Sequence, residues 1–232
     1  MRVVGFDAAT DDTVIAASRD GGLTFELVAG PGPDGRPTHS RELLGGITAA
    51  AESLGGWKEV DRFAVGLGPG TFTGLRIAVS TASGLAMSTG VRVVGVSTLE
   101  AMARTLSGGD ASVVPVLDAR RGEVFTAAYD AAGAELSPPV AVPPGEAVEL
   151  IRSLDGAVRV GGPGAVRFAD LFADAGIRVE DPQSERCRLS GASICELGVA
   201  ADCDCDHPLQ PIYIREPDAK LWLERDGRPP VR

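Results

Sequence analysis

The fold is decided by residues 65–87, which read V-G-L-G-P-G-T-F-T-G-L-R-I-A-V-S-T-A-S-G-L-A-M. They continue an apolar run, residues 63–65, that is typical of the end of a buried strand. Three glycines and a proline within residues 66–70 allow a tight turn that bulkier residues would resist. Thr71 or Thr73 can then cap a helix whose apolar positions recur at helical spacing. The stretch therefore predicts a strand, a glycine turn and a helix in that order.

A helix N-terminus that follows a glycine turn also suits an anion, because exposed N–H groups and the helix dipole point the same way. The candidate residues are Asp7, at the end of the first predicted strand, and Gly68, Gly70 and Thr71 in the turn. The pattern is neither a Walker loop nor G-x-G-x-x-G, and no lysine follows it. Two interpretations stay open, a nucleotide or anion site and a turn that only connects strand to helix.

The composition predicts a protein with a sizeable hydrophobic core. It also predicts that the protein does not bind nucleic acid on its own. The chain has 232 residues, 44% hydrophobic and 23% charged, with a formal net charge of −10. Such an acidic surface repels phosphate backbones. The N-terminus enters a strand without the features of a signal peptide, and no apolar stretch approaches a membrane span. We therefore expect a cytoplasmic protein with no membrane partner.

The cysteines lie late in the chain, and two of them belong to the acidic run D-C-D-C-D-H at residues 202–207. A zinc site usually needs two ligand pairs at defined spacing, and this run offers one C-x-C with an adjacent histidine. We expect an acidic loop with reduced thiols and no metal.

Hydrophobic patterns and turn signals predict that the chain repeats one order of elements. In the first half, three strands joined by tight turns precede alternating helices and strands, at residues 2–8, 13–18, 23–28, 40–54, 60–65, 72–87, 91–96 and 97–106. The second half again opens with strands and continues with helices and short strands, at residues 112–117, 123–130, around 136, 145–154, 158–161, 166–175, 177–179 and 192–201. This echo predicts an α/β fold of two related lobes with mixed sheets, the second lobe reduced, as in actin-like (ribonuclease H-like) proteins. We expect lobes at 1–106 and 107–216 and a mobile tail at 217–232.

Several segments together resemble the TsaB (YeaZ) family, whose members take part in making threonylcarbamoyladenosine in bacterial tRNA. They span nearly the whole chain in order, and the block that begins at residue 68 is long and specific. The matching segments are G-F-D-A-A-T (5–10), H-S-R-E-L-L (39–44), G-P-G-T-F-T-G-L-R-I-A-V-S-T-A-S-G-L-A (68–86), L-D-A-R-R-G-E-V-F (117–125) and P-I-Y-I-R (211–215). The resemblance implies a two-lobed actin-like (ASKHA) fold.

The resemblance also implies a non-catalytic subunit that dimerises with TsaD, the paralogue that carries the active site. With TsaB and the ATPase TsaE, TsaD moves a threonylcarbamoyl group to the adenosine 3′ of the anticodon in tRNAs reading codons that begin with A. TsaE is expected to associate with this chain through the complex, and tRNA is expected to interact with it only indirectly. In the catalytic paralogue two histidines four residues apart hold a metal. Here His39 is present but Leu43 replaces the second histidine, so we expect no metal site and no catalytic residue.

No cofactor is expected for the chain alone. Actin-like enzymes follow the first aspartate with residues that let the backbone approach a phosphate, whereas Ala8 and Ala9 stand here. ATP or ADP is expected to bind only weakly or at the complex interface, if at all. Residues 161–164 allow two interpretations, a turn that cradles adenosine and an ordinary strand-to-helix turn.

Docking is predicted to use the helices at 40–54 and 72–87, which are rich in Ala, Gly, Ser and Leu. Such faces approach closely and bury the apolar area that drives association. Alone, the chain is expected to form a homodimer through much of the same surface. The alternative is that the apolar stripes cover their own sheet, and both can hold because a helix has several faces. The residues predicted to bind the partner are Leu43, Leu44, Ile47, Leu75, Ala78, Val79 and Ala82.

Other functions stay open from the residues alone. An actin-fold ATP-binding enzyme would need intact phosphate loops, and a peptidase-like hydrolase would need an H-x-x-x-H or H-E-x-x-H motif that the sequence lacks. Direct tRNA contact through Arg120 and Arg121 is a third hypothesis. Its alternative is a solvated hairpin tip or salt bridging between the lobes.

Overall fold

The computed structural model describes residues 1–201 and 209–215. The predictions for the acidic cysteine run and for the tail beyond residue 216 lie outside these residues. Strands and helices alternate as the sequence indicates. The strands are β1 (Arg2–Asp7), β2 (Thr13–Arg19), β3 (Gly22–Ala29), β4 (Arg62–Gly66), β5 (Arg92–Val96), β6 (Ser112–Arg120), β7 (Glu123–Tyr129), β8 (Glu135–Val142) and β9 (Val158–Gly161). The helices are α1 (His39–Ser53), α2 (Phe72–Thr89), α3 (Thr98–Leu106), α4 (Pro144–Arg152), α5 (Pro163–Arg167), α6 (Ala169–Asp174) and α7 (Gly191–Ala200).

The first sheet has the strand order β3-β2-β1-β4-β5. Strands β1, β2 and β3 pair antiparallel, whereas β4 and β5 are parallel to β1, so the sheet is mixed as expected. The register places Phe6 beside Ile15 on one side and Val65 on the other. Strands β1 and β2 are buried along almost their whole length, which agrees with their continuous apolar runs.

The second sheet repeats the first with one strand fewer, in the order β8-β7-β6-β9. This confirms two related lobes of an actin-like fold, the second reduced. Two local predictions were wrong. The helix expected at 166–175 is a pair, α5 and α6, interrupted at Phe168, and it begins earlier because Pro163 occupies its first turn. The strand expected at 177–179 is reduced to one bridge between Val160 and Val179.

Side chains that alternate along the strands belong to different core clusters, as the pleat requires. Val4 faces the cluster in which α1 and α2 cover the outer side of the first sheet. Val3 faces a second cluster, where α3 and α7 lie between the two sheets. Helices α4, α5 and α6 close the outer side of the second sheet.

Helix α7 departs from the expected division of the chain. It lies within residues 107–216, which the sequence assigns to the second lobe, yet it packs against β1, β2 and β4 of the first sheet. Its close packing depends on small residues, because a Cβ at Gly198 would overlap the side chain of Ala64. The guanidinium of Arg62, on β4, donates to the carbonyl oxygen of Gly198 at 2.7 Å. The chain therefore returns to the first lobe after completing the second.

Candidate functional site

Asp7 lies at the carboxyl end of β1 and is completely buried. Its Oδ1 accepts the backbone N–H of Ala9 at 2.6 Å, and its Oδ2 accepts the hydroxyl of Thr98 at 2.6 Å. The Thr98 hydroxyl in turn accepts the backbone N–H of Gly68 at 3.1 Å. Burial raises the pKa of Asp7, and the hydrogen bonds from Thr98 and Ala9 oppose that rise. The carboxylate therefore ties three segments of its own lobe together.

The glycine turn before α2 packs directly on the loop after β1. The backbone N–H of Thr71 donates to the carbonyl oxygen of Ala9 at 2.7 Å, although the Thr71 hydroxyl makes no capping bond. A Cβ at Gly70 would overlap Ala9, and one at Gly74 would overlap the carbonyl oxygen of Ala8. The backbone of the loop after β1 therefore packs against the first turn of α2. This geometry favours the interpretation of the stretch as a packed strand-to-helix turn.

The cleft between the lobes is narrow and crossed by ion pairs. Its cavity of about 90 Å³ is lined from the first lobe by residues 9–12, Gly70 and Thr71, and from the second by Leu117, Asp118, Arg120 and Pro163. The Arg120 guanidinium bridges Asp11 of the first lobe and Asp118 of the second. Asp12 pairs with Arg188 at 3.0 Å. For Arg120, the structure thus shows the salt bridging between lobes that the sequence left as an alternative.

The turn between β6 and β7 has an unusual backbone for its residues. Arg120 and Arg121 have φ angles of 63° and 55°, in the left-handed region that Gly and Asn adopt more readily. Arg121 is exposed at the tip of this hairpin. The predicted contact between these arginines and tRNA stays a prediction. The turn at residues 161–164 packs tightly on β6, since a Cβ at Gly162 or Gly164 would crowd the β6 backbone, as expected of an ordinary strand-to-helix turn.

His39 begins α1 and is almost fully buried. Its Nδ1 lies 2.8 Å from the hydroxyl of Thr13, while its buried Nε2 has no hydrogen-bond partner. Burial lowers the pKa of His39, which favours the neutral imidazole. One turn later Leu43 fills the core of the lobe. The residues present therefore do not fit the paired-histidine metal site of the catalytic paralogue, and residues 1–201 and 209–215 contain no cluster of three potential metal ligands.

Helices α1 and α2 lie side by side on the first sheet, and most of the predicted partner-binding residues face that sheet. Leu43, Ile47, Leu75, Ala78 and Ala82 are buried in the lobe, Val79 is half-buried, and Leu44 is 58% exposed. Five of the seven side chains are thus unavailable to a partner, although docking through this helix pair stays a prediction. Helical spacing alone does not show the difference, because Leu44 lies three residues before Ile47, at the edge of the same apolar stripe.

Phe72 and Met87, two exposed apolar residues of this helix pair, are not among the residues predicted from the sequence to bind the partner. Phe72 is 51% exposed and Met87 is 89% exposed, at opposite ends of α2. We use the term outer face for the exposed side of α1 and α2, which also includes Leu44 and Arg76. On the outer face, Leu44, Phe72 and Met87 are the exposed large apolar residues. The other exposed residues of α1 and α2 are small or polar.

Residues 209–215, here named the C-terminal strap, connect this face to the second lobe. The backbone N–H of Ile212 donates to the carbonyl oxygen of Leu67 at 2.7 Å. The ring of Tyr213 packs on that of Phe72, with centroids 5.6 Å apart. Arg215 pairs with Glu123 at 2.6 Å, on the β6–β7 hairpin. In the sequence, P-I-Y-I-R (211–215) was one of the segments that carry the family resemblance, and no structural role was predicted for it.

No helix among the described residues combines the length and apolar composition needed to cross a membrane.

Comparisons with known proteins agree on one family. The family model "TsaD: tRNA N6-adenosine threonylcarbamoyltransferase" matches residues 35–191, which is more than half of the chain. The tRNA threonylcarbamoyladenosine biosynthesis protein TsaB of Escherichia coli (strain K12) is 33% identical over 135 residues, covering 56% of this chain and 55% of that protein. The chain thus matches about half of the length of that relative. A protein of Mycobacterium tuberculosis (strain H37Rv) is 32% identical over 183 residues, covering 78% of this chain and 77% of that one.

Solved structures agree on the fold. YeaZ from Pseudomonas aeruginosa matches with a TM-score of 0.71 and 21% identity, covering 91% of this chain and 99% of that one. The two-lobed topology, the matched family model and the relatives together lead to one conclusion. The chain belongs to the TsaB (YeaZ) family, within the group of proteins that the TsaD model describes.

Proposed function

We propose that this chain is a non-catalytic cytoplasmic subunit that dimerises with TsaD and supports threonylcarbamoyl transfer to the adenosine 3′ of the anticodon. Membership in the TsaB family places the proposal in tRNA threonylcarbamoyladenosine biosynthesis. One observation carries the non-catalytic role. The polar groups around the end of β1 are satisfied within the first lobe, because Asp7 accepts from Ala9 and Thr98 and the carbonyl oxygen of Ala9 accepts from Thr71.

The cleft supports this proposal by its size and its chemistry. Pockets that hold small molecules measure roughly 300–1,000 Å³, whereas this cavity measures about 90 Å³. Asp7, the counterpart of the first aspartate of actin-like enzymes, is enclosed by its own lobe. We therefore propose that ATP or ADP binds the isolated chain weakly if at all, and otherwise at the interface with TsaD.

The outer face supports the choice of partner. Leu44, Phe72 and Met87 leave large apolar surfaces in water, and covering them releases free energy at roughly 25 cal/mol per Å². Because the TsaD model matches this chain, a TsaD subunit carries related helices that can pair with these two. TsaE then joins through the complex, tRNA is met indirectly, and the isolated chain forms a homodimer through much of the same face.

Titration of the chain with purified TsaD tests the proposal, followed by a transfer assay with TsaE and tRNA. We expect wild-type chain to bind TsaD and to be required for transfer, and the chain alone to transfer nothing. Leu44→Glu should weaken TsaD binding about tenfold or more, which corresponds to about 1.4 kcal/mol. Leu171→Glu, at an exposed apolar position 38% accessible on the second lobe, is the matched control and should bind normally.

Two outcomes would refute the proposal. One is transfer by the chain without TsaD, and the other is failure of wild-type chain to bind TsaD. Leu43→Glu and Leu75→Glu are unsuitable as interface probes, because both side chains are buried and a charge there would disrupt the lobe itself.

A further inference from the structure

We propose that the partner-binding surface extends from α1 and α2 onto the C-terminal strap, where Arg76, Phe72 and Tyr213 form a stacked anchor for a carboxylate of the partner. This inference rests on the proposed function, since the occupant is the TsaD subunit. It specifies what the partner must present to this surface, namely an acidic side chain surrounded by apolar ones.

The charge of α2 is the first observation. The 18-residue helix contains a single charged residue, Arg76. Arg76 is exposed and has no ion pair among the described residues. By contrast, Arg41 on α1 pairs with Glu42 at 2.7 Å. An arginine without an acidic neighbour on an otherwise uncharged helix face is complementary to one carboxylate.

The second observation is that the anchor is already assembled. The Arg76 guanidinium lies 5.2 Å from the centre of the Phe72 ring, within the range of a cation–π interaction. Tyr213 packs on Phe72 with the two planes 33° apart. Stacking of this kind holds the guanidinium in place while its N–H groups can still reach a carboxylate. Because the three side chains need little further ordering, their conformational cost on binding is small.

The strap that supplies Tyr213 is fixed from both ends. Leu209 packs on the core cluster beneath α1 and α2, and Ile214 packs on the cluster between the two sheets. Arg215 donates to the carbonyl oxygen of Ala119 at 2.5 Å as well as to Glu123. Tyr213 is nonetheless 46% exposed. An exposed tyrosine on an anchored segment is typical of residues that dominate binding at interfaces.

The choice of occupant follows from the same charges. A second copy of this chain offers no carboxylate from α2, and on α1 it offers Glu42, already paired with Arg41, and Glu52, exposed in the last turn. The carboxylates of its outer face thus lie on α1 alone. A distinct subunit with related helices and an acidic residue at the facing position meets both the charge and the apolar requirement.

Affinities of purified variants for TsaD, measured by isothermal titration calorimetry, test the anchor. We expect Arg76→Glu to weaken binding about thirtyfold and Tyr213→Ala about tenfold, whereas Tyr213→Phe keeps the stack and binds as wild type. Arg76→Lys should recover only part of the loss, because lysine lacks the planar fork. Arg152→Glu, at a 53% exposed position on α4, is the control for charge reversal and should stay within about twofold.

The outcomes separate this inference from the proposed function. If wild-type chain binds TsaD and Leu44→Glu weakens it while Arg76→Glu and Tyr213→Ala bind normally, the anchor is refuted and the proposed function stands. If Arg76→Glu leaves TsaD binding unchanged but abolishes the homodimer, the occupant is a second copy and the inference is refuted. Thermal unfolding of each variant shows whether the lobe has remained folded.

Discussion

The two lobes share a strand order but differ in what their helices leave exposed. Both sheets place three antiparallel strands before a parallel fourth. The first lobe adds a fifth strand and covers its outer side with α1 and α2, of 15 and 18 residues. The second lobe covers the same side with helices of nine, five and six residues. Only long helices present a continuous outer surface, so we assign docking to the first lobe and a supporting role to the second.

The lobes also differ in the loop that follows the first strand. In the first lobe, the loop after Asp7 packs against the start of α2, and in the second, Arg120 and Arg121 turn tightly at the cleft. One loop therefore closes its own lobe, and the other connects the two.

Gly74→Ala should destabilise the chain most, by about 3 kcal/mol. A methyl group at this position would overlap the carbonyl oxygen of Ala8 and force α2 away from β1. Gly84→Ala on the same helix meets no atom within 4 Å and should stabilise by about 0.5–1 kcal/mol. Urea unfolding of both variants checks the pair. Equal stability of the two variants would contradict the packed turn.

Thr98→Val should cost about 2–3 kcal/mol, because it removes hydrogen bonds to both Asp7 and Gly68 in a buried site. The matched change in the second lobe is Thr126→Val. Thr126 is also buried, but its hydroxyl makes one hydrogen bond within the described residues, donating to the carbonyl oxygen of Pro115 at 2.9 Å, so its loss should cost about 1 kcal/mol. A larger loss for Thr126→Val would show that the second lobe, not the first, holds the critical junction.

His39 should make stability depend on pH. Its folded-state pKa is lowered by burial, so below about pH 6.5 the unfolded chain binds a proton that the folded chain does not. Stability is therefore lost as pH falls from 6.5 toward the lowered pKa, and His39→Gln should flatten this dependence. Unfolding midpoints between pH 7.5 and 5.5 measure the difference.

Arg120→Gln should have the smallest effect, about 0.5–1 kcal/mol, because the Arg120 side chain is 49% exposed and surface ion pairs contribute little. The loss should shrink at high salt, which screens the pair with Asp11. Arg36→Gln, at an 85% exposed position on a surface loop, should be neutral at any salt concentration. If the loss of stability in Arg120→Gln did not change with salt, the turn conformation of Arg120 and not its charge would be responsible.

The sequence predicted those features that depend on neighbours along the chain. Hydrophobic alternation and turn residues located eight of the nine strands in the described part of the chain closely, and β8 was indicated only around Leu136. The glycines of residues 66–70 correctly indicated the turn before α2. The apolar stripe of α1 was predicted too, although spacing does not separate exposed Leu44 from buried Leu43, since both lie near Ile47 on the helix.

Features that depend on distant contacts could not be predicted. The return of α7 to the first sheet joins Arg62 to Gly198, 136 residues apart. The stacking of Tyr213 on Phe72 is also a tertiary contact without a local pattern. The left-handed turn at Arg120 contradicts local preference, because Asn and Gly are the usual residues there. Such contacts are set by the packing of whole lobes.

We propose that the outer face of the first lobe binds TsaD. Hydrogen–deuterium exchange of the chain with and without TsaD, at a concentration at which the free chain is monomeric, tests this without any substitution. We predict new protection in residues 39–53, 72–89 and 209–215, with helices α4 to α6 unchanged. Protection confined to residues 144–174, with α1 and α2 exchanging as in the free chain, would contradict the account.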